Sequence, residues 1–157
     1  MYVIHRESQT KMKAEIVNVS KEDLVILLKG GRFEFDWIKE AHFDIYAIRL
    51  VENENVIGLM AIKDVADELR TELVLLESSK ENIGQNKKFE HIAGCLIAWA
   101  CRLAFIKGYY GFISLIPKTR LISHYKHAYG FEQFGRHLAS ETRNSHRLIQ
   151  KFLENGE

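Results

Sequence analysis

One proline and two cysteines are all that 157 residues contain of either type, and neither sign of charge is in excess, with 22 Lys and Arg against 21 Asp and Glu. Such balance provides no long-range field to gather nucleic acid or an anionic membrane, so any anion must be held locally. Ten glycines and one proline lie far below the content of fibrous or disordered chains, and no low-complexity tract or internal repeat is evident. Cys95 and Cys101 fall on one predicted helix, on opposed faces and too far apart to bridge. They read as small core residues. The longest apolar stretch, 92–106, is interrupted by Arg102 and falls short of the ~20 residues that cross a bilayer. Residues 1–8 are too polar for a secretory signal, which makes a reducing cytoplasm the expected compartment and leaves no membrane partner.

What is present is a chain 46% apolar, long enough for one domain spanning 1–157 with a real core. Residues 2–8 carry little signal, whereas 12–19 alternate loosely enough for a first strand. Ser20 ahead of Asp23 has the look of a helix cap and Gly30-Gly31 of a stop, which predicts a short helix over 21–29. Phe33, Trp37, Ile38 and Ala41 stand at helical spacing, so a second short helix is expected over 33–41, with a strand as the rival. Residues 43–51 and 55–63, joined by Glu52-Asn53-Glu54, predict a hairpin. Residues 72–78 form a near-continuous apolar strand of the kind buried on both faces, suited to a sheet centre. A polar loop over 79–88 then leads to a helix over 91–107 so apolar all round that it must be sandwiched. Beyond it come a strand over 110–116 broken by Pro117, a helix capped by Thr119 and ended by Gly130, a hairpin over 131–139, and a closing amphipathic helix over 142–153.

The fold class expected from this order is mixed α/β, in three layers α/β/α around a largely antiparallel sheet. Within it stand Lys88-Phe89-Glu90-His91-Ile92-Ala93-Gly94, then Gly108-Tyr109-Tyr110-Gly111-Phe112, then Tyr125 ahead of Tyr129-Gly130-Phe131. These residues, in this order, resemble the acetyl-CoA motif, the later glycine and the tyrosine of the GCN5-related N-acetyltransferases over roughly 72–134. Lys88 stands where that family has Arg or Gln, His91 where it has its first Gly, the loop before the motif is longer, and Tyr125 lies one residue further from Gly130 than is common.

The resemblance implies acetyl-CoA as cosubstrate, with the diphosphate over Lys88, Phe89, Glu90, His91, Ile92, Ala93 and Gly94. A helix start offers unpaired N–H groups and partial positive charge, and small residues there let the backbone come close. It implies also that the strand Leu75-Leu76-Glu77 pairs with the pantetheine amides and polarises the thioester carbonyl, with Lys118 adding charge nearby. Tyr125 matches the tyrosine that returns a proton to the departing thiolate, Tyr129 and Tyr110 being its alternates. Glu77 is the candidate general base, although a carboxylate in an apolar strand equally suits a structural ion pair; Glu72 and Glu34 are the weaker alternatives. His124, His127 and His137 have no carboxylate or cysteine at matching spacing, so no metal is expected. The expected acceptor is a small-molecule or peptide amine rather than nucleic acid, and many chains of this family pair as homodimers. The competing function is a catalytically degenerate relative that binds CoA without turnover.

Overall fold

The computed structural model describes residues 1–117 and 121–154. The N-terminus is a strand despite its weak pattern: β1 (Tyr2–His5) turns through Gln9, at φ 56°, into β2 (Thr10–Asn18). Ser20 Oγ accepts the Asp23 N–H at 3.1 Å and starts α1 (Lys21–Leu28), which ends before Gly31, at φ 69°. The expected hairpin forms as β3 (Asp44–Leu50) and β4 (Val56–Val65), and the apolar strand as β5 (Arg70–Ser78). A two-residue strand β6 (Phe89–Glu90) precedes α2 (Ile92–Ile106), followed by β7 (Ile113–Leu115) and α3 (Ile122–Tyr129). The chain closes through β8 (Glu132–Phe134), β9 (His137–Ser140) and α4 (Thr142–Ile149), which widens into a π-helical turn over Gln150–Glu154.

One nine-stranded sheet runs in the order β6-β1-β2-β3-β4-β5-β7-β9-β8, antiparallel throughout except for β5 beside β7. That parallel pair is bridged by α2, as parallel neighbours require a crossover. Helices α2 and α4 close a large core on one face: Leu96, Ile97 and Cys101 of α2 and Leu148 of α4 are fully buried with Ile48, Met60 and Ile113 of the sheet. On the other face Leu24 of α1 and Trp37 bury against Ile45, Leu59 and Ala61. Among the described residues no helix is long and apolar enough to cross a membrane.

Three expectations are corrected. Residues 33–41 are not a helix but a run of turns, in which Phe33 and Trp37 face inward while Ile38 stays 46% exposed. The strand over 110–116 shrinks to three residues because Tyr110 and Gly111 both take positive φ, 55° and 74°, which no extended strand tolerates. Strand β5 is central, yet Leu75 and Leu76 are only half-buried. Thr119 as a cap and Lys118 as a nearby charge lie outside the described residues.

Candidate active site

Strands β5 and β7 touch only at Thr71–Ile113 and Glu72–Ser114. Past that rung β5 continues to Ser78 with no residue of β7 beside it, so its edge is open. Ala61 pairs with Leu75 but Ile62 with Leu73, which leaves Val74 as an extra residue, a bulge that twists the strand where the gap begins. Ser79 N–H donates to Ile57 O on the β4 side at 3.0 Å. Hydrogen bonding alternates along an antiparallel strand, so Glu77 is also turned to β4, and the amides of Leu76 and Ser78 face the gap. Of the three backbone positions expected to bind the cosubstrate, Leu76 is the one so oriented. The Leu75 and Glu77 amides are turned away from it.

The opening of α2 lies at the same end. His91 adopts the left-handed conformation, φ 77°, ψ 6°, so an imidazole stands on the backbone turn that glycine would favour. No side chain caps the helix, and the first amide bonded within it is Cys95 N–H to His91 O, 2.9 Å; the N–H groups of Ile92, Ala93 and Gly94 are left for an incoming acceptor. The long loop before it is pinned. Lys88 N–H donates to Glu81 O and its carbonyl accepts Arg6 N–H, Phe89 N–H donates to Asn82 Oδ1, and Phe89 and Glu90 pair with β1. Lys88, Phe89 and Glu90 are therefore bound into the sheet edge, and the unbonded amides begin at Ile92.

Charge at this corner comes partly from a residue the sequence analysis missed. Burial of part of the His91 ring lowers its pKa, Lys151 and Lys87 lower it further, and Glu90 opposes them. Lys151 belongs to the closing π-turn, 60 positions away, and no local pattern could have brought it here. Gly94 also has a different task from the one expected. A Cβ there would stand 2.3 Å from Phe152 Cε1, so its missing side chain admits the Phe152 ring, and the other small residue of this helix start is Ala93.

From this corner a line of rings runs along the side of α2 and α3. His91 meets Phe152 edge-on at 5.4 Å, Phe152 meets Tyr129 at 6.1 Å, Tyr129 meets Tyr125 at 5.9 Å, and Tyr125 meets Phe131 at 5.7 Å. Burial pushes the Tyr125 phenol above its ordinary value and the Tyr129 phenol up to about 12, so both keep their protons at neutral pH. The Tyr125 hydroxyl has no hydrogen-bond partner among the described residues. Tyr110 is 73% exposed in the turn before β7, at the strand's other end, and is no alternate.

Glu77 is committed elsewhere. Its carboxylate, 5% exposed, accepts Glu34 N–H at 2.7 Å, Phe35 N–H at 3.2 Å and Trp37 Nε1–H at 2.7 Å. Of the two readings the sequence left open, the structural one fits: Glu77 anchors the 33–37 segment, with three of its roughly four acceptor sites taken and the group buried. Cys95 and Cys101 are buried, which pushes both thiols up to about 12 and removes them as nucleophiles.

No protein-family model and no curated protein matches this chain. Solved structures do. A spermidine N-acetyltransferase SpeG chimera from Vibrio cholerae and hSSAT superposes with a TM-score of 0.62 at 15% identity, covering 84% of this chain and 98% of that one. The chain has the fold of the GCN5-related N-acetyltransferases. An IAA acetyltransferase from Bacillus cereus ATCC 14579 gives a TM-score of 0.57 at 16% identity over 78% of this chain and 79% of that one. AtaTR bound with acetyl-CoA gives 0.56 at 11% identity over 87% and 98%. The open start of α2 lies at the gap end of β5, where Gly58, the β4 partner of Ser78, abuts Ile92.

Proposed function

We propose that the protein is an acyl-CoA-dependent N-acyltransferase that moves an acetyl group from acetyl-CoA to a primary amine by direct attack. The observation that carries this reading is the uncapped start of α2, with three unused amides beside Lys87 and Lys151, at the mouth of the gap whose far wall is the free edge of β5. Those amides and lysines suit a diphosphate, the helix start adding its partial positive charge. Acetyl-CoA supplies the activated thioester. In this reading the Leu76 amide, which faces the gap, stabilises the charge that the thioester oxygen gains during attack, and Tyr125, which keeps its proton at neutral pH, hands one to the leaving sulfur. The binding partners in that neighbour, AtaTR with acetyl-CoA, agree with this choice of cosubstrate. Buried free cysteines suit a reducing cytoplasm.

A thermal melt with excess acetyl-CoA tests the cosubstrate site, because a ligand that binds only the native state must raise the midpoint. Thiol release in the presence of amines tests turnover. The expected result is a higher midpoint with acetyl-CoA and with CoA, and release of CoA with at least one primary amine. An unchanged midpoint sinks the proposal. A raised midpoint with no thiol released would reassign the chain to binding without turnover.

A further inference from the structure

Strands β5 and β7 start side by side, and the end where they start is the end away from the gap. An open cavity of about 660 Å³ lies there, a size usual for small-molecule sites, and none of its described lining residues belongs to the gap edge, the start of α2 or the line of rings. Its apolar side comes from Leu69 before β5 and from Tyr110 and Phe112 before β7. Leu69 and Tyr110 both hold left-handed backbone, φ 51° and 55°, and stand 55% and 73% exposed, so the fold keeps two large side chains out in water at the cavity. The Tyr110 carbonyl accepts the Thr142 hydroxyl at 2.6 Å, which pins this turn to α4. From α4 come Arg143, Asn144 and Arg147. The Arg147 guanidinium is already oriented: Asn144 Oδ1 accepts from its Nε at 3.2 Å and from its Nη2 at 2.9 Å, while Asn144 Nδ2 donates to Tyr129 O and to Ser140 Oγ. Glycine at 130 leaves the room for this, since a Cβ there would stand 2.7 Å from Arg147 Nη2. Among the described residues neither arginine has a carboxylate partner. Of the three carboxylates that line the cavity, Glu68 is bound by Arg70 at 2.9 Å. Glu132 at the start of the edge strand β8, and Glu141, the N-cap of α4 whose side chain makes no cap hydrogen bond, have no cationic partner among the described residues.

Two unpaired cations and two unpaired anions beside an apolar wall suit neither a polyanion nor a polyamine, because either would meet like charge. They suit a ligand that carries both signs on an apolar body. We propose that this cavity binds an aromatic α-amino acid as an effector, its carboxylate on Arg147 and Arg143, its ammonium on Glu132 and Glu141, and its ring against Leu69, Tyr110 and Phe112. Asn144 occupies the Nε edge of the Arg147 guanidinium, so the edge between Nη1 and Nη2 is the fork left for a carboxylate. Helix α4 gives the site its reach. Its first two turns carry Arg143, Asn144 and Arg147, and the π-turn that ends it carries Lys151 and Phe152, which stand beside His91 and Gly94 at the start of α2. A ligand that holds the first turns orders the element that shapes the anion corner, so acetyl-CoA there binds more tightly, and by linkage the amino acid does too when acetyl-CoA is present. This coupling rests on the transferase reading; the binding of the amino acid does not.

Calorimetric titration of L-phenylalanine into the protein, alone and saturated with acetyl-CoA, tests both parts. Phenylalanine should bind at a single site and about 5-fold more tightly with acetyl-CoA present. Phenylalanine amide and 3-phenylpropionate, which each lack one of the two charges, should bind on the order of 10-fold more weakly. R147Q and E132Q should each weaken phenylalanine on the order of 10-fold while keeping the wild-type melting shift with acetyl-CoA. Glu132 is exposed on an edge strand, so E132Q reads the site even where R147Q disturbs the fold. No heat with phenylalanine overturns the proposal. So does equal affinity for the amide or the acid, or wild-type affinity in E132Q and in a folded R147Q. The same phenylalanine affinity with and without acetyl-CoA, in a protein whose melt acetyl-CoA raises, overturns it as well. A protein that binds phenylalanine but shows no melting shift with acetyl-CoA overturns the transferase reading and leaves the amino-acid site standing.

Discussion

At the scale of single residues, His91 is the position where the chain departs furthest from the motif it resembles, and its backbone explains why the departure is tolerated. A left-handed φ of 77° on a histidine is strained relative to glycine, yet the turn it makes is the turn that leaves three amides open. Its imidazole is held neutral at neutral pH by partial burial and by Lys151 and Lys87. A bound diphosphate reverses that field, raises the imidazole pKa and so takes up a proton on binding. The sign follows: acetyl-CoA affinity should strengthen as pH falls through the window between the depressed free value and the higher bound one, then level off. Calorimetry in buffers of different ionisation enthalpy measures the proton uptake, and His91→Ala should abolish it. Y125F should lower kcat on the order of 10²-fold while leaving the acetyl-CoA melting shift unaltered; equal turnover would remove the proton-donor role from Tyr125. Gly94 and Ala93 separate two roles that the motif merges. G94A should destabilise by about 1–3 kcal/mol in a denaturant melt through collision with Phe152, coupled non-additively to Phe152→Leu, whereas Ala93→Trp should erase the acetyl-CoA shift in a folded protein.

At the scale of elements, the segment 33–41 shows how an apolar spacing can mislead. Phe33 and Trp37 stand four apart as in a helix, but what orders them is Glu77 on β5, drawing two backbone amides and an indole N–H onto one buried carboxylate. E77Q should therefore act on stability, by about 1.5–3 kcal/mol for loss of hydrogen bonds to a charged acceptor. A lower kcat at unchanged stability would return Glu77 to the chemistry. Helix α2 behaved as its composition promised, since a helix apolar on every side needs a layer on each side, and the sheet and α4 provide them. Its thiols, pushed up to about 12, should resist alkylation in the native protein and react only as fast as it unfolds. At α3 the stop is doubly enforced: Gly130 takes φ 70°, and a Cβ there would lie 2.4 Å from Asn144 Oδ1. Asn144 Nδ2–H donates to Tyr129 O at 2.8 Å, which ties the end of α3 to α4.

At the scale of the whole molecule, the candidate site is assembled from parts that no short window contains. The gap needs β5 and β7, and the anion corner needs α2 and the π-turn 60 residues later. Binding across such parts should stabilise all of them together, by about 2.7 kcal/mol at a ligand concentration 100 times Kd, seen as one cooperative transition moving to higher temperature.

Element types, the strand at the centre, the sandwiched helix and its uncapped start were legible in the amino acids, because periodicity, caps and unpaired amides are local properties of a chain. The surroundings of Glu77, Gly94 and Lys151 were not. Each is set by what lies opposite across a sheet or a helix, three hydrogen-bond donors for Glu77, a ring for Gly94 and an imidazole for Lys151. Side-chain chemistry depends on the neighbours through space, and only the packed tertiary structure chooses them.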